Sequence, residues 1–144
     1  KDLRAKLNAT LSKNEINSLN VFGIDSLINA YENCENWLNE LLIYLENNKD
    51  YLIEYLKNSI PELKVVAPEA TYLLWIDISS LKIGSAKFAK KLEELAKLRV
   101  ISGVTFGEDG DNFIRVNIAC PLNTLKDGLQ RLKKGVEEIK ALEI

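Results

Sequence analysis

Leu3, Leu7 and Leu11 recur at intervals of four, which predicts a short helix over 2–13. Asn14, Asn17, Ser18, Asn20 and Gly23 then gather turn-forming residues and break the pattern. Asp25 or Ser26 is the expected cap of a second helix carrying Leu27, Tyr31 and Cys34 on one side, and residues 33–36 are its expected interruption. From Trp37 a longer apolar stripe runs through Leu38, Leu41, Leu42, Leu45, Leu52, Tyr55, Leu56 and Ile60. Pro61 ends it.

Beyond Pro61 the period becomes that of extended chain. Residues 63–66 predict a short strand, and 72–78 a strong one that is apolar on both faces up to Asp77, as expected of a central strand. Ser85 is the expected cap of a helix bearing Phe88, Leu92 and Leu95. Val100-Ile101 predicts a brief strand that opens into the glycine-rich stretch 102–111, and 113–119 predicts another. Asn123 or Thr124 is the expected cap of a final helix. Its Leu125, Leu129, Leu132, Val136 and Ile139 form a narrow seam suited to docking on a sheet. Helices and strands mix without strict alternation, so the fold class is α+β, with helices covering a sheet.

One strand carries the chemistry. Successive side chains of Phe113–Cys120 alternate between faces, so Ile114, Val116 and Ile118 point one way and Arg115 and Asn117 the other. The first face calls for a core. The second presents a guanidinium on a rigid element, and a planar carboxylate suits that fork best. The chain has four arginines against fifteen lysines, so this arginine is not the cheap choice of cation. Two readings stand open: a ligand carboxylate, or an internal ion pair, with Asp77 the obvious partner.

Composition narrows the classes. With 144 residues, 47% hydrophobic and 28% charged, the chain suits one soluble domain with a real core. A net charge of −2 gives no electrostatic case for nucleic acid or an anionic membrane. No apolar run reaches the roughly 18 residues of a membrane span. Cys34 and Cys120 stand apart with no C-x-x-C spacing, which suits a reducing cytoplasm, although a disulfide between them stays open. The lack of histidine removes Ser-His and Cys-His pairs and all imidazole metal sites. The lack of methionine, even at position 1, predicts a processed or excised piece of a longer chain.

Other candidates fare less well. The stretch 102–111 has three glycines but lacks G-x-x-x-x-G-K-[ST] and a following helix. A hairpin-like connection needing positive φ is the better account than a phosphate cradle. Glu93-Glu94 and Glu137-Glu138 sit on polar helix faces, and Trp37 and Trp75 fit apolar patterns of core or interface. No lysine has an apolar setting that would depress its pKa. The chain itself therefore shows no catalytic, cofactor-binding or metal-binding set.

Taken in order, three segments form a recognisable group. They are Pro68-Glu69-Ala70-Thr71-Tyr72-Leu73-Leu74-Trp75-Ile76-Asp77, Ser102-Gly103-Val104-Thr105-Phe106-Gly107 and Phe113-Ile114-Arg115-Val116-Asn117-Ile118-Ala119-Cys120-Pro121. They resemble the C-terminal part of fold-type I pyridoxal-phosphate (PLP) enzymes. Within these, they look most like the cystathionine β-lyase and maltose-regulon-modulator branch of the class I/II aminotransferases. Residues 18–23, 37–39 and 48–51 fit the same branch. Ala70 departs from it, standing where glycine is common.

The resemblance implies a small domain with a mostly antiparallel sheet covered by helices, reached through a long interdomain helix. On this view residues 1–60 link to an absent N-terminal large domain, and 61–144 form the small-domain core. Arg115 matches the family arginine that binds the substrate α-carboxylate. The Schiff-base lysine, the aspartate on the pyridine nitrogen and the phosphate ligands would lie in that preceding domain. The implied protein is a PLP-dependent cysteine-S-conjugate β-lyase, cytoplasmic and homodimeric, of which this piece alone is inactive and holds no cofactor. A class I/II aminotransferase and a non-catalytic amino-acid-binding or regulatory module are the alternatives.

Overall fold

The leucines at spacing four do form a helix, α1 (Asp2–Lys13), in the computed structural model, which describes residues 2–15 and 20–142. α2 (Val21–Asn33) begins earlier than Asp25 or Ser26 would have it. Asn20 is the cap: its backbone is extended and its side-chain oxygen accepts a hydrogen bond of 2.7 Å from the Gly23 N–H. Asn17, Ser18 and Leu19 of the expected turn and motif lie outside the described residues. The helix stops at Cys34 and resumes as α3 (Glu35–Ser59), the interruption foreseen over 33–36. Pro61 follows its end.

The chain divides into two compact units, Lys1–Leu41 and Leu42–Ile144. This division falls inside α3. The physical reason is that the second half of α3 carries the buried Asn48, Leu52 and Leu56, so it belongs to the core of the second unit. In the first unit no residue of α1 or α2 is buried. Phe22, Tyr31 and Trp37 are exposed there, so Trp37 is not a core residue.

The second unit is built on an antiparallel sheet of β1 (Lys64–Val65), β2 (Leu73–Asp77), β3 (Ile101–Ser102) and β4 (Phe113–Asn117), in the order β1-β2-β4-β3. β2 and β4 are thus interior, and Trp75 lies opposite Arg115 across them. Alternation works as the strand pattern demands. Leu74, Ile76, Ile114 and Ile118 are fully buried on one side. Helices α4 (Ser85–Ala96) and α5 (Leu122–Leu142) complete the α+β architecture. All five residues of the α5 seam are buried in that core.

Two caps come from afar in sequence, which is why local reading misplaced them. Ser85 is the first helical residue of α4 and not its cap. The Asp111 carboxylate accepts from the Ser85 N–H at 3.0 Å. α5 starts at Leu122, ahead of Asn123 and Thr124, and the Leu122 N–H donates to the Tyr44 hydroxyl at 2.8 Å. A third distant clasp is buried: the Asn48 amide donates to the carbonyls of Ile118 (2.9 Å) and Cys120 (3.0 Å) just after β4.

The glycine-rich stretch is two short 3-10 turns, Gly103–Phe106 and Glu108–Asn112, joined at Gly107 with φ 135°. Only glycine adopts that angle without strain. The turns fold back so closely that a Cβ on Gly103 would lie 2.2 Å from the Gly110 carbonyl oxygen. A Cβ on Gly110 would meet the Gly103 oxygen at the same distance. This is packed backbone, and it leaves no room for a phosphate between the turns.

Candidate functional site

Arg115 sits on β4 with paired strands on both sides, opposite Trp75 of β2 and Ile101 of β3. Ladder bonds on two flanks hold its Cα rigidly. Its side chain leaves the core and shares the outer sheet face with Trp75, Phe113 and Asp77. Phe106, from the first 3-10 turn, lies over the guanidinium with its ring centroid 4.4 Å from Arg115 Cζ. Trp75 meets the Phe106 ring edge-on at 5.3 Å and the Phe113 ring at 6.3 Å, so it braces both.

Among the described residues the guanidinium has no counter-ion. No carboxylate oxygen of theirs comes within 4 Å of it. Its Nε is shut off from solvent and lacks any hydrogen-bond partner. Leaving a charged donor unmade in this way is costly. Asp77, the sequence's alternative partner, is engaged elsewhere. It lies two residues along, opposite Phe113, and accepts from the Ser79 N–H at 2.8 Å. Hydrogen bonds from Ser79, helped by the charge of Lys64, hold its carboxyl below the usual carboxylate range.

A depressed acid stabilises the fold above the unfolded carboxylate range, and that contribution is lost as pH falls through the folded value. Asp77→Asn should therefore flatten the fall in stability below about pH 4, measured by chemical unfolding at stepped pH. An unaltered acid slope would contradict this.

The loop that carries Phe106 is tied to α4. Ser85 is fully buried, its Oγ lies 2.7 Å from Ser102 Oγ, and it accepts from the Val104 N–H at 3.3 Å. Sequence reading found Arg115 but not this support. In the sequence Phe106 is only one residue of the glycine-containing motif 102–107, and Trp75 fits core or interface. The available signal was that Phe106 is the one aromatic in an otherwise small and polar stretch. Cys34 and Cys120 are both free thiols. Burial pushes the Cys120 thiol up. No cluster of three potential metal ligands occurs among the described residues, and no helix there is long and apolar enough to cross a membrane.

The small antiparallel sheet and its flanking helices are those of the α+β small domain of fold-type I PLP enzymes. By sequence the chain is homologous to the C-terminal part of PLP-dependent C–S lyases and aminotransferases. Cystathionine beta-lyase PatB of Bacillus subtilis (strain 168) is 35% identical over 133 residues, 92% of this chain and 34% of its own. Protein MalY of Escherichia coli (strain K12) is 32% identical over 136 residues, 94% of this chain and 35% of its own. The PLP-bound C-S lyase from Staphylococcus hominis superposes with a TM-score of 0.78 at 31% identity, covering 92% of this chain and 36% of that one. Aminotransferases are among the further matches. No family model matches the chain. The chain spans about a third of the length of the curated relatives it matches.

Proposed function

We propose that this chain is the substrate-carboxylate-binding domain of a PLP-dependent C–S lyase acting on cystathionine-like cysteine S-conjugates. The observation that carries the reading is Arg115 on a rigid interior strand with no carboxylate oxygen within 4 Å of it among the described residues. A guanidinium without such a partner among the described residues is poised for a carboxylate from outside. PLP is the cofactor carried by the Staphylococcus hominis neighbour. When bound, that group supplies an electron sink for charge developing at the substrate Cα.

The residues here fit one half of the task. The packed Gly103 and Gly110 backbones leave no phosphate cradle between them, and cofactor attachment is assigned to the large domain that the resemblance implies. Arg115 would fix the α-carboxylate and so present one Cα–H bond to the base in a single orientation. Phe106 and Trp75 flank that position with apolar surface, which limits water at the ion pair and strengthens it. The segment alone is then inert, and the intact protein is read as a cytoplasmic homodimer. The two free thiols support the compartment.

The match to an aspartate aminotransferase favours amino transfer as a second reading. Incubating the full-length enzyme with cystathionine separates the two. Thiol release without any added 2-oxo acid supports elimination. Turnover that depends on an added 2-oxo acid, with no thiol released, would replace the lyase reading by the aminotransferase one.

A further inference from the structure

The geometry points to Phe106 as a positioning residue that sets the orientation of the Arg115 guanidinium and hence its affinity for a substrate carboxylate. This rests on the carboxylate reading of Arg115. Arginine has a long, rotamer-rich side chain, and holding it in one pose costs entropy that some contact must offset. Among the described residues no carboxylate does so, and Nε makes no hydrogen bond. The contact the structure gives the guanidinium is the Phe106 ring, 4.4 Å from Cζ, within range of a cation–π interaction.

The ring is itself held. Trp75 abuts it edge-on, and the turn bearing it is pinned through Val104, Ser85 and Ser102 to the start of α4. With Phe106 covering one face of the planar group, a carboxylate is directed to the N–H edge. Edge approach is how a two-point pair forms. Yet Phe106 is half exposed, at 51%, and contributes no residue to the buried core. An aromatic left this open, stacked on an unpaired cation, is explained by what it does to the cation.

The test uses the full-length enzyme, with 2-aminoisobutyrate as an unreactive probe. It bears the α-carboxylate but no Cα–H. Phe106→Leu, which removes the π face but keeps apolar bulk, should weaken binding of this probe about tenfold, the scale of a well-placed cation–π contact. It should lower kcat/KM for cystathionine by a similar factor. Phe106→Tyr, which restores the π face, should stay within about threefold of wild type. In an Arg115→Ala background Phe106→Leu should cost less than about twofold in kcat/KM, because nothing is left to orient.

An equal cost in both backgrounds would overturn the proposal, since the ring would then act on the domain and not through the arginine. So would no cost in either. Should Phe106→Leu lower the thermal midpoint markedly, Phe106→Met serves in its place and is judged by the same two comparisons. If Arg115→Ala alone is silent, the carboxylate reading falls and takes this inference with it. If Arg115→Ala is damaging while Phe106→Leu is silent, only the role of Phe106 falls.

Discussion

Arg115→Ala in the full-length enzyme is expected to lower kcat/KM for an amino-acid substrate by about 3–5 kcal/mol, roughly two hundred- to several thousandfold. The size follows from what the substitution leaves behind. A substrate carboxylate drawn into a partly dry site would lose its only assigned counter-ion. Arg115→Lys restores the charge but not the planar fork, so it should recover only part of the loss. A sharper check compares the substrate with its carboxamide. Wild type should discriminate strongly in favour of the acid, and Arg115→Ala should discriminate little. An unchanged kcat/KM in Arg115→Ala would remove the assigned role.

Asn48→Leu should destabilise the chain by about 2–4 kcal/mol. The buried amide joins α3 to the chain just beyond β4 through two hydrogen bonds spanning some 70 residues of sequence. Leucine fits the volume but leaves the Ile118 and Cys120 carbonyls without those partners, and an unmet buried acceptor costs about 1–3 kcal/mol. Urea unfolding followed by tryptophan fluorescence measures the shift in midpoint. Asn47, next to it on α3 and exposed, gives the control: Asn47→Leu should change stability by no more than about 0.5 kcal/mol. Equal effects at the two positions would show that the clasp contributes nothing beyond its volume.

What the sequence made legible follows from which forces are local. The α5 seam could be read because burial of one helical stripe imposes a period that neighbouring residues display directly. Arg115 stood out for the same reason, since a strand's alternation assigns each residue a side and isolates the charge that breaks the apolar run. Ser85, Asn123 and Thr124 were misplaced as caps because the groups that satisfy those helix starts, Asp111 and Tyr44, are 26 and 78 residues away. The boundary of the second unit was hidden likewise. The leucine stripe of α3 is continuous through Leu41, Leu45 and Leu52, and only tertiary packing distinguishes its buried half. Whether Arg115 paired with Asp77 could not be read at all, because it turned on strand register and on Ser79 claiming the carboxylate. Phe106 escaped notice because its contact with Arg115 depends on how the two short turns fold back, a matter of backbone angles at Gly107.

The back-to-back seating of Gly103 and Gly110 has a genetic corollary. Each glycine already occupies the smallest space its neighbour permits, so a methyl gained at one cannot be offset by a deletion at the other. Accommodation has to come from extra length in the segment between them, which would let the two backbones part. Drift at either codon is thereby tied to insertion and not to substitution, and any such lengthening would also carry Phe106 away from the cation it covers.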